Sequence, residues 1–170
     1  MARRMNCEAT LDALGAFADA VAEAADAEAA FRAAELAAGR LIGHRLFTVM
    51  AFHADTMEVE RCYSSAPLSY PLGARKRKRG TPWSNLVLEE GRCFIGRDAD
   101  EIRRHFSDHE IILGLGLGSV LNVPIRASGR TIGTMNLLDE AGRYDPSHVA
   151  IAKLLSMGLI GPLRAHIGRF

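Results

Sequence analysis

Apolar residues recur along the chain with two spacings, one typical of helices and one typical of strands. Helical spacing predicts two alanine-rich helices in residues 8–42, the second of them capped by Asp26. The same spacing predicts further helices in 81–91 and 99–113, and a final one that starts at 145 and bends or ends at 161–162. Helices therefore open and close the chain and also interrupt its middle.

Between the helices, β-branched and apolar residues predict extended structure. Residues 46–53 and 57–64 predict one hairpin, and 93–95 predicts a short strand. A longer hairpin covers 119–138 and turns at Ser128-Gly129. The order of these elements predicts an α+β fold, because it lacks the strict alternation of a doubly wound α/β protein.

Two asparagines interrupt the apolar strands of the long hairpin. A simple two-residue turn at Ser128-Gly129 places Asn122 and Asn136 on opposite faces of the sheet, whereas a bulge or a longer turn places both on one face. A buried amide needs hydrogen-bond partners, since an unsatisfied one costs about 1 to 3 kcal/mol. We expect Asn122 to serve the structure and Asn136 to contact a ligand.

The length and composition indicate one globular domain. A chain of 170 residues that is 48% hydrophobic can bury a core without disulfide support. We assign residues 1–170 to a single domain, with 1–26 as an N-terminal helical extension and 27–170 as the core and C-terminal helix. The formal net charge of +1 excludes a chain that binds nucleic acid through its overall charge.

The cysteines and the terminal segments predict a cytoplasmic location. Cys7, Cys62 and Cys93 are odd in number and form no C-x-x-C motif, which favours free thiols in a reducing compartment. No apolar signal core follows the first residues, and no uncharged stretch is long enough to span a membrane.

Residues 65–80 predict a long loop, or a loop that contains a short edge strand, and a run of five basic residues, 75–79, stands out in it. Its charges repel one another, which predicts a solvated loop tip, a lid over an anionic ligand, or a weaker alternative, a nucleic-acid contact. The run contains no aromatic residue that stacks on bases, although Tyr70 and Trp83 flank it. Trp83 could stack on a planar ligand or simply pack in the core.

Histidines and glycines supply no recognised catalytic motif. His105, Asp108 and His109 resemble a metal-ligand cluster, but a helix cap at Asp108 with surface histidines is the favoured interpretation, and we predict no metal. The glycines of 114–118 precede a strand and lack the helix and lysine of a phosphate-binding loop.

The strand Ser-Val-Leu-Asn-Val-Pro-Ile at 119–125 and the strand Thr-Ile-Gly-Thr-Met-Asn-Leu-Leu at 131–138 resemble the central hairpin of GAF domains. The resemblance covers roughly residues 27–160 through the order of elements. It implies a PAS-related α+β fold with a central antiparallel sheet of about six strands. Terminal helices would cover one face, and loops and short helices would cover a ligand pocket on the other.

The resemblance implies a bacterial, non-catalytic sensory module that binds a small molecule, anionic or planar, and requires no assigned cofactor. The small alanine side chains of 8–42 let helices pack closely, which predicts either a homodimer through the terminal helices or helices that only cover their own sheet. We also expect a regulatory protein partner. We expect ligand contacts from the following residues: Phe47, Val49, Tyr63, Tyr70, Arg75, Arg77, Trp83, Asp108, Ser119 and Asn136.

Other branches of the family match less well. The cyclic-nucleotide signature after the last strand is absent apart from the aromatic Tyr144, and no bilin-attachment segment is present. Free methionine-R-sulfoxide reductases use pocket thiols, so Cys62 or Cys93 as a nucleophile is the alternative function. The cysteine-containing loop of those reductases has no counterpart in 109–118.

Overall fold

Six antiparallel strands form one sheet, in the order β3-β2-β1-β6-β5-β4. The structure is a computed structural model that describes residues 7–73 and 75–168. The strands are β1 (Leu46–His53), β2 (Glu58–Ser64), β3 (Arg75–Arg77), β4 (Phe94–Gly96), β5 (Ser119–Ala127) and β6 (Arg130–Asp139). The fold class and the strand number predicted from the sequence are confirmed.

Seven α-helices and two short helical turns are described. They are α1 (Cys7–Glu23), α2 (Ala27–Leu41), α3 (Pro82–Ser84), a π-helical turn (Asn85–Glu89), α4 (Ala99–His105), α5 (His109–Gly114), a 3₁₀ turn (Pro146–His148), α6 (Val149–Met157) and α7 (Ile160–Ile167). In the described part of the chain, none of these helices combines the length and the apolar character needed to cross a bilayer.

Strand alternation divides the sheet into two faces with different surroundings. One face, here called the helix-covered face, packs Phe47, Val49, Leu121 and Met135 against α1, α2, α6 and α7. The other, here called the cavity face, lies under α3, α4, α5 and the segment around β3. The terminal helices therefore stabilise one side of the sheet, and the middle of the chain covers the other.

A β-bulge sets the register of the long hairpin. The positive φ angles of Ser128 (51°) and Gly129 (77°) are those of a two-residue type I′ turn. The register then shifts by one residue next to Ile125, which leaves Ile132 unpaired. As a result, Asn122 lies directly opposite Asn136, and both asparagines face the same side of the sheet.

Local signals explain where several helices begin. Asp26 accepts a hydrogen bond of 2.9 Å from the Ala29 amide, which confirms the predicted cap of α2. Thr81 and Ser84 form a reciprocal capping box at the start of α3. The expected interruption at 161–162 lies a few residues earlier, because α6 ends at Met157 and α7 begins at Ile160 with Pro162 in its first turn.

Replacing Gly133 by alanine should destabilise the fold. An added Cβ would collide with the Met50 carbonyl oxygen and the Leu163 side chain, so we expect a loss of about 1 to 3 kcal/mol in the free energy of unfolding. Gly15→Ala is the control, because a Cβ there meets open space within α1. Urea denaturation should show no loss for Gly15→Ala; equal stability of the two variants would contradict the close packing at Gly133.

Candidate ligand-binding site

A cavity of about 40 Å³ lies on the cavity face, between the sheet and the segment that covers it. The sheet wall is formed by Thr48, Met50, Val120, Asn122, Asn136 and Leu138. The opposite wall, here called the cover, belongs to residues 70–73, 75–83 and 106–112, and contributes Tyr70, Lys76, Lys78, Trp83, Phe106, Asp108 and Ile112. The cavity thus joins apolar surface with several convergent polar groups.

A buried hydrogen-bond network organises the sheet wall. The indole Nε1 of Trp83 donates to Asn122 Oδ1 over 2.9 Å, and Asn122 Nδ2 donates to Asn136 Oδ1 over 2.7 Å. Asn136 Nδ2 then donates to the hydroxyl oxygens of Thr48 and Thr134, both over 3.1 Å. This network fixes the amide orientations and ties α3 to the middle of the sheet.

Asp108 holds the cover together through its carboxylate. It accepts a hydrogen bond from the Tyr70 hydroxyl and one of 2.8 Å from Lys76 Nζ. Burial alone would raise the pKa of Asp108, but the hydrogen bonds from Lys76 and Tyr70, with the charge of Lys76, outweigh burial and lower it. Burial and the charge of Asp108 raise the pKa of Tyr70, so its hydroxyl remains a donor at neutral pH.

Two further cations lie next to this cluster. The Arg61 guanidinium lies 3.7 Å from the centre of the Tyr70 ring and donates to the Pro71 carbonyl oxygen over 2.6 Å. The half-buried Lys78 ammonium lies 5.4 Å from the centre of the Trp83 ring. Burial lowers the pKa of Lys78, because desolvation disfavours its charged form.

The basic run contributes different residues from those expected. Residues 75–77 form an edge strand, and alternation along it directs Lys76 into the cavity. Lys78, one residue beyond the strand, also lines the cavity. Arg75 and Arg77 are exposed and do not line the cavity, and Arg75 pairs with Glu60 at 2.9 Å. The expected placement of Arg75 and Arg77 at the pocket is therefore corrected, because Lys76 and Lys78 line the cavity in their stead.

Four other expected contacts lie on the helix-covered face, which corrects their assignment to the cavity. Phe47, Val49 and Tyr63 pack in the core beneath the helices, where the Tyr63 hydroxyl donates to Glu35. Ser119 is also buried away from the cavity, and its hydroxyl oxygen accepts a 3.3 Å hydrogen bond from the Tyr144 amide. Alternation along the strands directs all four side chains to the opposite face from Thr48 and Met50.

The structure does bring together four of the predicted residues, Tyr70, Trp83, Asp108 and Asn136. Sequence reasoning missed Thr48 and assigned Asn122 a purely structural role, although both lie in the polar network of the cavity wall. The signal that could have found Thr48 is its position as a polar residue in the otherwise apolar strand β1.

The cysteines do not line the cavity. Cys62 and Cys93 are half-buried and pack against the core of the helix-covered face. Burial raises the pKa of Cys62 to about 12, and burial also raises that of Cys93. Within 7–73 and 75–168, no group of three or more His, Cys, Asp or Glu side chains is arranged to hold a metal ion.

Solved structures resemble the whole fold at low identity. The GAF domain of a phosphoenolpyruvate-protein phosphotransferase from Coxiella burnetii matches with a TM-score of 0.79 and 17% identity, over 97% of this chain and 98% of that chain. Free methionine-R-sulfoxide reductase from Neisseria meningitidis, solved with its substrate, matches with a TM-score of 0.66 and 14% identity, over 100% and 98%. These likenesses establish the fold and no particular activity.

A photoreceptor fragment shares the same architecture. The chromophore-binding domain of a bacteriophytochrome from R. palustris matches with a TM-score of 0.70 and 14% identity, over 94% of this chain and 63% of that chain. No match was found among curated proteins. A family model described as the GAF domain matches residues 12–159, which is most of the sequence, and the chain therefore belongs to the GAF domain family.

Proposed function

We propose that this chain is a sensory GAF module that binds a small molecule in the cavity between the sheet and the cover, and that it does so without catalysis. The observation that carries the proposal is the convergence of the Trp83-Asn122-Asn136 network and the Lys76-Asp108-Tyr70 cluster on one cavity. Binding sites typically combine apolar walls with a few polar groups that orient the ligand.

The size of the cavity supports a role in signalling. At about 40 Å³ it holds about three water molecules, so a larger ligand must displace the cover. The cover is the easier wall to move, because β3 contributes only three residues to the sheet and pairs with β2 alone in the described structure. Ligand binding would then shift the cover between two arrangements, which is the change a partner protein would detect.

The thiol-dependent alternative finds no support in the geometry. Cys62 and Cys93 lie on the side of the sheet away from the cavity, and burial raises both thiol pKa values. A nucleophilic cysteine requires the opposite, an accessible thiolate with a lowered pKa.

We further propose that two copies associate through α1 and α6. An apolar groove between these helices is lined by Leu14, Phe17, Ala18, Val21, Ala22, Leu154 and Gly158. The large side chains of Leu11 and Leu154 are exposed on the same two helices. Exposed leucines at an apolar groove make one surface that can fit a second copy of itself in a two-fold dimer.

Filling the cavity should remove a bound small molecule. We expect native mass spectrometry of protein equilibrated with a bacterial metabolite extract to show an added mass, and Ile112→Phe to reduce its occupancy because Ile112 lines the cavity. Ile111→Phe is the matched control, since Ile111 is 53% exposed and lies outside the cavity. Equal occupancy in both variants, or no added mass in the parent, would contradict the proposal.

Charge on the α6 surface should separate the dimer. We expect sedimentation velocity to detect a dimer that Leu154→Glu converts to monomer, because a carboxylate would be desolvated against the partner's apolar groove. Leu68→Glu, on a fully exposed leucine outside both helices, should leave the dimer intact. A monomeric parent protein at all concentrations would refute the dimer.

Thiol reactivity should exclude a nucleophilic Cys62. A thiol pKa of about 12 leaves roughly a thousandth of the thiolate of an ordinary cysteine near neutral pH, so Cys62 should react far more slowly with iodoacetamide than exposed Cys7. Mass mapping of the labelled peptides checks this order, and labelling in denaturant provides the control. Reaction of native Cys62 as fast as Cys7, with thiol-dependent reduction of methionine sulfoxide, would restore the enzyme alternative.

A further inference from the structure

The cover and the adjoining strand β2 place more positive charge around Asp108 than one carboxylate can neutralise. Arg61, Lys76 and Lys78 gather around Tyr70 and Trp83. Burial lowers the pKa of both Arg61 and Lys78, and among the described residues Asp108 is the one acidic side chain whose charge opposes that lowering at both sites. Three cations therefore share one carboxylate, and Lys76 is its direct ion-pair partner at 2.8 Å.

Arg61 carries the clearest sign of a missing anion. Its side chain is nearly fully buried, with 4% exposure, and its Nε has no hydrogen-bond partner among the described residues. Its direct contacts are Tyr70 and the Pro71 carbonyl oxygen, both uncharged at neutral pH, and Asp108 acts on it through its charge without forming an ion pair among the described residues. A buried guanidinium is costly unless it is paired, so this position favours binding of a negatively charged group.

Lys78 adds an unpaired cation on the cavity side. It lines the cavity, and within the described residues its ammonium lies 5.4 Å from the centre of the Trp83 ring and forms no ion pair. The charge of Lys78 interacts with those of Asp108, Lys76 and Arg61, and the charge of Arg61 also interacts with that of Asp108.

Asp108 already occupies the position that such a group would take. It lies at the N-cap of α5, yet its side chain makes no capping hydrogen bond to that helix. Its carboxylate is instead used by Tyr70 and Lys76, which lie more than thirty positions away in the sequence. The protein thus supplies its own carboxylate to the cation cluster while the cavity is closed.

Resting on the proposed function, we propose that the ligand is a small organic anion whose carboxylate or phosphate group binds Lys76, Lys78 and Arg61 in place of Asp108. Asp108 is then a built-in competitor. Its displacement releases Tyr70 from the carboxylate, uncovers Arg61 and allows the cover to move. Charge-assisted hydrogen bonds from three cations supply the binding energy.

Anion titrations on the full chain test this exchange. Inorganic phosphate and succinate are the probes, added at constant ionic strength, with Trp83 fluorescence and thermal unfolding as readouts. We expect Lys78→Gln to weaken binding of the preferred anion roughly tenfold and Asp108→Asn to strengthen it by a similar factor, because an amide competes weakly for cations. Preference for phosphate or for succinate distinguishes the two kinds of anionic group.

Two controls separate the cavity from general electrostatics. Arg77→Gln removes one positive charge from the exposed side of β3, and Glu110→Gln removes one negative charge from the exposed surface of α5. Both should change the affinity less than twofold, and circular dichroism establishes that all four variants are folded. Equal effects of Lys78→Gln and Arg77→Gln, or of Asp108→Asn and Glu110→Gln, would overturn the proposal.

The remaining outcomes distinguish this inference from the proposed function. If neither anion binds the parent or Asp108→Asn, the cation cluster is not an anion site and the inference fails. A small molecule whose retention Ile112→Phe abolishes would then still support a sensory module with an uncharged ligand. Loss of both signals would refute both proposals.

Discussion

The pairing of Asn122 with Asn136 depends on one unpaired residue, Ile132, at the bulge in β6. Without this bulge, one of the two amides would point into the apolar core beneath the helices, where an unsatisfied amide costs about 1 to 3 kcal/mol. With the bulge, both amides lie on the cavity face and bind each other. Trp83 joins them through its indole N–H, so the position of α3 depends on the register of a hairpin far along the chain.

The two walls of the cavity are held by different forces. The sheet wall is fixed by a strand ladder and by neutral hydrogen bonds among buried groups. The cover is held to a large extent by charge, with Asp108 joining Tyr70 and Lys76. Neutral networks depend weakly on charge in the surroundings, whereas an ion-paired contact responds directly to another ion. A rigid sheet wall opposite a charge-sensitive cover would let an anionic ligand move the cover relative to the sheet.

The sequence predicted the elements better than the contents of the cavity, and the reasons are physical. The long hairpin and the caps at Asp26 and Thr81 follow from local patterns within a few residues. The choice of face does not, because Phe47 and Thr48 exchange roles according to which side the terminal helices cover. That coverage is a tertiary property, which local patterns do not reveal. The expected ligand contacts Phe47, Val49, Tyr63 and Ser119 were therefore assigned to the wrong face of the sheet.

The same limit applies to the cover. Treating 65–80 mainly as a loop hid the alternation that directs Lys76 inward and Arg75 outward. Asp108 was predicted as a helix start, which is correct, but its bond to Tyr70 joins residues 38 positions apart. No local pattern encodes such a pair, although the polarity of each residue marked it as a site residue.

The edge position of β3 has a consequence for the behaviour of the protein in a crowded solution. The outer side of this strand carries no neighbouring strand in the described structure, and an open edge is a template on which other chains can add strands. The exposed arginines Arg75 and Arg77 surround that edge with positive charge, which opposes the approach of a second, equally basic copy. The alternation that supplies lysines to the cavity thus also opposes self-association along the β3 edge of the sheet.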